Sequence, residues 1–394
     1  MADRLPAAPW TSRDDIAALV AALGDGNARY VGGAVRDTLL GIDVKDVDIA
    51  TPLVPDEVVR RLNAAGIRTV PTGIEHGTIT AILPFGPVEI TTLRRDVSTD
   101  CRRATVAFAS DWRDDAARRD FTMNALYADP ATLEISDYFG GVDDLKARRL
   151  RFIGDAHQRI REDHLRILRY FRFQARFGSQ PADPQAEQAC SELAPTLKGL
   201  SRERIGMEML NLLGLPDPAP TVARMAELGV LPVVLPEANV AALAALVAEE
   251  ARQSIAPDAI RRLAALLPAE VPLAEAVASR FRLSGAQKKR LAIAAARDGA
   301  RSDARALAYR LGMDAALDRL LLAARDTAPL HDWSTPTFPL KGGEIVARGV
   351  KAGPEVARTL REIEDRWVAE GFPGFERVSQ MLDEALAARS TGND

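Results

Sequence analysis

Strand and helix signals alternate along the first 140 residues of this chain and then stop alternating. Residues 12–24 read as a first helix, with Ser12 as its cap, Asp15 at the third helical position and Gly24 as its end. Residues 28–31 read as a short strand running into Gly32-Gly33. A short helix over 35–40, stopped by Gly41, and a strand over 47–50 follow. Residues 55–65 fit a helix with proline at its tolerated start. Three β-rich runs come next, 68–70, 78–83 and 88–93, the last two joined at Gly86-Pro87. From about Asp155 onward the periodicity is helical, with almost no strand signal. Proline clusters at 216–220, 268–272 and 329–339 break the helical part into pieces. The pattern restricts the chain to an α+β arrangement, with a mixed head over residues 1–150 and a long all-α remainder.

Several function classes fall away on composition. Lys plus Arg number 51 and Asp plus Glu 55, a net charge of −4, which argues against a protein that coats nucleic acid over its whole surface. The two cysteines, Cys101 and Cys190, are too few for a disulfide framework and belong to no metal-binding cluster. The first residues lack an apolar signal core, and no stretch approaches 18 uninterrupted apolar residues. The expectation is a soluble cytoplasmic protein with no membrane partner and no obligatory protein partner.

One short stretch carries the chemistry: GGAVRDTLLGIDVKDVD, residues 32–48. Bare backbone at Gly32-Gly33, between a strand and a helix start, lets N–H groups approach an anion. Arg36, one turn into the helix, adds a forked donor for phosphate oxygens. Asp46 and Asp48 sit two apart, so on a strand both carboxylates face one way. Like charges that close need a cation to stay ionised, and magnesium favours one or two carboxylates completed by phosphates and water. Glu89, on a predicted neighbouring strand, is a candidate third carboxylate. A plain tight turn explains the glycines alone, and a solvated strand start explains the aspartates alone. Together with Arg36 they point to a triphosphate with Mg2+.

GGAVRD followed by DxD resembles the nucleotidyltransferase superfamily that includes DNA polymerase β. Two further runs narrow it: RRDFTMNAL (118–126) and EDHLRILRYFRF (162–173). The four motifs resemble the class II group of tRNA CCA-adding enzymes and bacterial poly(A) polymerases, tightly over about 28–205 and more loosely to the C-terminus. The resemblance implies a polymerase β-like head followed by an elongated all-α neck, body and tail, with boundaries expected at 1–150, 151–215, 216–330 and 331–394. It implies attack of an RNA 3′-hydroxyl on the α-phosphate of a nucleoside triphosphate, assisted by two Mg2+ ions. On this implication Asp46 and Asp48 are metal ligands and Glu89 a further catalytic carboxylate. Gly32, Gly33 and Arg36 then meet the triphosphate, and Arg119 and Asp120 contact the nucleotide and its ribose.

Within EDHLRILRYFRF, Asp163, Arg166, Arg169 and Arg172 recur every third residue, and on a helix Asp163 and Arg166 are neighbours. A surface helix laced with ion pairs has the same pattern. A base offers the other reading. Cytosine and adenine both present an amino donor and a ring-nitrogen acceptor, which match Asp and Arg; uracil and guanine reverse both polarities. The resemblance implies this use of Asp163 and Arg166, with Arg169 and Arg172 helping at the phosphates or shaping the pocket. DYFGG (137–141) is similar to a short flexible element of the family, so a hinge is expected at Gly140-Gly141, and rigidifying it should impair A addition more than C addition.

Residues 141–180 carry ten basic and five acidic side chains, a local +5 that fits a cleft for tRNA phosphates. Arg280, Arg282, Lys288, Lys289 and Arg290 form a second basic cluster, either an acceptor-stem contact or a solvated helix face. The glycines of the segment 338–367 read as turns between short helices. The leading expectation is template-independent addition of C, C and A to the tRNA 3′ end from CTP and ATP. A bacterial poly(A) polymerase shares all four motifs, but no arginine-rich segment follows the aspartate pair here. Partial CC- or A-adding enzymes, and a non-catalytic RNA-binding module, are the other readings; the module would be expected to lack an aspartate. His76, His157, His164 and His331 are dispersed, with no His-Asp doublet for phosphohydrolase chemistry.

Overall fold

The computed structural model describes residues 4–74, 77–100, 103–109, 111–297 and 303–390. Cys101 and His76 lie outside these. The chain divides into two units, Met1–Pro236 and Glu237–Asp394.

The first unit opens with α1 (Asp14–Leu23), β1 (Arg29–Val31), α2 (Gly33–Leu39), β2 (Asp48–Thr51), α3 (Pro55–Ala64), β3 (Thr69–Gly73), β4 (Thr78–Leu83) and β5 (Gly86–Thr92). It continues with β6 (Arg94–Asp100), β7 (Arg103–Phe108), α4 (Trp112–Ala117), β8 (Leu126–Ala128) and β9 (Ile135–Asp137). Seven strands make one mixed sheet in the order β3-β4-β5-β2-β1-β8-β9, and β6 and β7 form a separate hairpin. β2 and β5 run parallel, with Asp48 opposite Glu89. Along β5 the two-residue period buries Val88, Ile90 and Thr92 and leaves Glu89 and Thr91 on the other face.

The sequence expectation holds for the mixed sheet and fails in details that have physical causes. Ser12 does not cap α1. It ends a 3₁₀ turn, Pro9–Ser12, and Arg13 is the N-cap; its guanidinium pairs with Asp15 at 2.9 Å. The β4–β5 turn is Pro84-Phe85, because Leu83 pairs with Gly86, which already belongs to β5. β8 and β9 have three residues each, too few to show a period, and the charged strand β6, RRDVSTD, gives no apolar alternation.

After β9 the first unit is helical: α5 (Gly141–Lys146), α6 (Ala156–Glu162), α7 (Arg166–Phe177), α8 (Pro184–Leu193), α9 (Arg202–Leu213), α10 (Ala219–Glu227) and α11 (Leu231–Val234). Helix α7 packs against α9 and α10. Its buried aromatics join the head. Phe121 lies 4.9 Å from Phe152 and 5.3 Å from Phe173 between ring centres, and Phe152 stacks on Tyr170 at 5.7 Å. Large rings at such spacings give both apolar burial and quadrupole attraction. Since Phe121 follows Asp120 directly, this cluster sets Asp120 against α7.

The second unit is helical throughout its described residues: α12 (Val240–Arg252), α13 (Ala259–Leu266), α14 (Val271–Arg280), α15 (Gly285–Ala296), α16 (Ala304–Leu311), α17 (Met313–Leu322), α18 (Gly342–Ala347), α19 (Pro354–Ala369) and α20 (Phe375–Ser390). A buried ion network ties α12, α13 and α17: Arg261 bridges Glu250 at 2.7 Å and Asp318 at 3.0 Å, and Arg262 meets Glu250 at 2.8 Å. Arg290 extends it to Asp318 and Asp258. The second basic cluster is therefore split. Arg290 and Arg280, the latter bonded to Glu237, are engaged, while Arg282 and Lys289 are exposed. Gly342-Gly343 opens α18 instead of forming a turn. No helix is long and apolar enough among the described residues to cross a membrane.

Candidate active site

Gly32 ends β1 with φ +67°, a conformation that favours glycine, and caps α2. Its N–H donates to the Leu126 carbonyl at 3.0 Å, fixing the loop to β8. Beside it opens a cavity of about 440 Å³ lined by Gly32, Gly33, Arg36, Asp48, Arg118, Arg119, Asp120, Asn124, Asp163, Arg166, Arg169 and Phe173. Nine of the twelve residues expected at the site thus line one space.

The other three stand off it. Asp46 is exposed and lies in the irregular segment before β2, so the strand argument for its direction does not apply. Glu89 stands opposite Asp48 on β5. Both act on Asp48 as neighbouring charges. Burial first, then Glu89, pushes the Asp48 carboxyl up to about 6 against the pull of Arg119, and Asp46 adds to the rise. Among the described residues no three His, Cys, Asp or Glu side chains form a metal-holding group. Two carboxylates that repel one another, with no complete protein cage, suit an ion that takes its remaining ligands from a phosphate chain. Arg172 is the third. It turns to Glu208 on α9, with Nε–Oε2 at 2.6 Å, and stacks over Phe173.

Asp163 corrects the single-helix reading. It is not on α7 but caps the C-terminus of α6 in extended backbone, and α7 starts at Arg166. The two side chains still share the cavity. Asp163 accepts from the Leu165 N–H at 3.1 Å and from Arg204 Nη2 at 2.7 Å. Arg166 donates to Glu162 at 2.6 Å and to the carbonyls of Arg159 and Arg118 at 2.9 and 3.0 Å. Three hydrogen bonds on a guanidinium with five N–H groups leave donors for a base edge.

A polar chain runs along the cavity from Arg36 to Arg169. Arg36 Nη1 donates to Asn124 Oδ1 at 2.5 Å, and Asn124 Nδ2 to Asp120 at 3.1 Å. Asp120 takes Arg169 at 2.6 Å, and Arg169 approaches Glu208 at 3.7 Å. Burial opposes the Asp120 charge, but Arg169 and Asn124 outweigh it and lower its pKa. Asn124, Arg118, Glu208 and Arg204 are site residues beyond those the sequence predicts. Asn124 stood in the RRDFTMNAL run, whereas Glu208 and Arg204 come from a helix with no signal of its own. The local +5 is likewise reduced by acids from other segments: Arg169, Arg172 and Arg176 pair with Asp120, Glu208 and Asp37.

DYFGG has a steric role. The Asp137 carboxylate accepts from the backbone N–H groups of Phe139, Gly141 and Val142, which pins the turn. A Cβ on Gly141 would lie 2.3 Å from the Thr122 carbonyl oxygen, while one on Gly140 meets only the tip of Arg151 at 3.5 Å, though at φ +76°. Gly141→Ala should therefore cost at least about 2 kcal/mol and lower C and A addition together. Gly140→Ala, costing about 1 kcal/mol, tests the hinge. Thermal melts with separate C- and A-addition rates decide: a Gly141→Ala protein with an unchanged melting temperature would refute the packing argument.

The geometry agrees with known proteins. Residues 28–151 match the family model described as the poly A polymerase head domain, and 182–241 the one described as a probable RNA and SrmB-binding site of polymerase A. The mitochondrial CCA tRNA nucleotidyltransferase 1 of Mus musculus is 34% identical over 364 residues, spanning 87% of this chain and 83% of that protein. The chain belongs to the class II CCA-adding tRNA nucleotidyltransferases. The CCA-adding enzyme of Geobacillus stearothermophilus is 42% identical over 205 residues, 52% of this chain and 49% of that one. The crystal structure of the Bacillus stearothermophilus CCA-adding enzyme in complex with CTP superposes with a TM-score of 0.72 at 26% identity, covering 96% of this chain and 98% of that one.

Proposed function

We propose that this chain extends the 3′ end of tRNA by C, C and A, taking CTP and ATP as substrates and releasing pyrophosphate without a nucleic-acid template. The observation that carries the reading is the cavity that joins the glycine loop and Asp48 at one end to Asp163 and Arg166 at the other. Gly32, Gly33, Arg36 and Arg119 receive the triphosphate, and Asp120, held by Arg169, meets the ribose. Asp163 accepts from the amino group of the base and Arg166 donates to its ring nitrogen. Arg172 acts through Glu208 by holding α7 against α9. Asp46 and Asp48 would hold Mg2+, with Glu89 beside them. Bound there, a pair of ions would stabilise the entering and leaving oxygens of the transfer.

A four-part division at 150, 215 and 330, with residues 331–394 as a helical tail that serves either tRNA body contact or packing, is part of the proposal. So is a cytoplasmic location, which rests on cysteine usage; the Mus musculus relative is a mitochondrial enzyme.

The raised Asp48 pKa gives a metal-binding prediction. Below about pH 6 the carboxyl is protonated, so a proton competes with the ion, and affinity should fall about tenfold per pH unit below that point and level off above it. Mn2+ titration followed by electron paramagnetic resonance measures this, and affinity constant from pH 5 to 8 would exclude Asp48 as a ligand. The function itself is tested by a tRNA lacking its last three nucleotides. With CTP and ATP it should gain three residues and yield three equivalents of pyrophosphate; no extension would overturn the proposal.

A further inference from the structure

One buried carboxylate beside the cavity belongs to none of the motifs. Asp115, on α4, has a side chain only 2% exposed and gathers four donors. Its Oδ1 accepts from Arg118 Nε at 2.8 Å and from the Arg94 backbone N–H at 3.1 Å. Its Oδ2 accepts from the Tyr127 hydroxyl at 2.7 Å and from Arg119 Nη2 at 3.2 Å. The Tyr127 oxygen in turn accepts from Arg119 Nε at 3.2 Å. Arg119 is thus held twice, directly and through the phenol.

We infer that Asp115 is the positioning residue that aims Arg118 and Arg119 at the triphosphate of the incoming nucleotide. The inference rests on the reading of the cavity as a nucleoside triphosphate site. Two adjacent arginines repel each other and have long, mobile side chains, so an anion between them is needed to fix both. Burial would push the Asp115 carboxyl up, but Arg119 and Arg118 outweigh it and hold it at about 2, so the anchor stays charged.

The anchor holds Arg118 by Nε and Arg119 by Nη2, and leaves Arg119 Nη1 beside the glycine loop. Both arginines line the cavity, and Arg119 Nη1 lies 3.4 Å from where a Cβ on Gly32 would stand. The same stretch of chain serves the base end, because the Arg118 carbonyl receives Arg166 Nη2 at 3.0 Å. The Arg94 N–H links the anchor to the chain just past β5, the strand that carries Glu89. One carboxylate therefore sets the donors for the phosphates, a shelf for the base reader and the end of the metal-side strand. It touches no substrate itself.

A positioning role and a purely structural one differ in what they change. Asp115→Asn keeps the shape and removes the charge, so both arginines lose their aim. Assayed well below its melting temperature, it should raise KM for CTP and ATP together by at least about tenfold, with the Kd for tRNA within about twofold of the parent. Tyr127→Phe removes one of the two holds on Arg119 and should raise both KM values about threefold in a protein that melts near the parent temperature. If Asp115→Asn does not fold, Tyr127→Phe decides alone. Parental KM values in the folded variants, with only a lowered melting temperature, would overturn the inference. A parent protein that uses neither CTP nor ATP would instead overturn the reading of the cavity.

Discussion

Replacing Asp48 with asparagine should abolish nucleotide addition and leave a metal-free protein more stable than the parent. The two effects share a cause. Burial together with Glu89 and Asp46 raises the Asp48 pKa from 3.8 to about 6, so its negative charge is disfavoured in the folded state. The sign follows from the direction of the shift. A carboxyl whose folded pKa lies above its unfolded value costs stability once it ionises. That cost is absent below pH 4, grows towards pH 6 and is complete above it. At pH 7.5 the neutral asparagine should gain about 1–2 kcal/mol, allowing for partial exposure. The side chain still reaches the cavity but no longer attracts a divalent ion, so turnover should fall at least about a thousandfold. Calorimetric melts without metal and single-turnover addition measure both halves. A variant that is less stable than the parent, or that keeps a tenth of its rate, would contradict the assignment of Asp48.

The second large effect is on base choice. Asp163→Ala removes the acceptor that matches an amino group and leaves Arg166 in its cradle of Glu162 and two carbonyls. Catalytic efficiency with CTP and ATP should drop at least about a hundredfold, while use of UTP and GTP, already small, should change little. Preference for C and A over U and G would then shrink by about the same factor. The structure adds a condition. Arg204 bonds Asp163 at 2.7 Å, so Arg204→Gln should weaken selection in the same direction and less steeply. Competition assays with all four nucleotides measure the ratio. An Asp163→Ala protein that keeps its parent preference would place base selection elsewhere.

The parts legible in sequence were those set by local chemistry. Gly32-Gly33 announces bare backbone at a strand-to-helix turn, and in the structure both glycines line the cavity, Gly32 with a positive φ. Asp48 could be picked out beside the glycine turn and Arg36, whereas Arg119, Asp120, Asp163, Arg166 and Arg169 were assigned through the family resemblance of their runs, since a solvated face explains the same charges locally. Which way each one points was another matter. Asp163 and Arg166 look like helical neighbours, yet the chain breaks between α6 and α7 and brings them together from two elements. Arg172 has the same spacing as Arg169, but a buried glutamate 36 positions later takes it away from the cavity. The same limit hid Asp115, whose partners run from Arg94 to Tyr127 and meet only after the sheet has formed. Long-range partners of charged side chains are fixed by packing, and a local pattern carries no record of them. The three-residue strands β8 and β9 left no sequence signal for a related reason, since pairing across the sheet stabilises them and their own period does not; β1, equally short, showed only because it runs into Gly32-Gly33.

The central claim is that protein side chains, with no template, admit C and A and exclude U and G at one site. The most direct measurement is incorporation from each nucleoside triphosphate alone on a tRNA lacking its last three nucleotides, with the products sequenced and Asp46→Ala as the control. The account predicts two additions from CTP, a single further addition when ATP is then supplied, and none from UTP or GTP. A long ladder from ATP alone, as a poly(A) polymerase would give, or efficient addition of U or G, would contradict it.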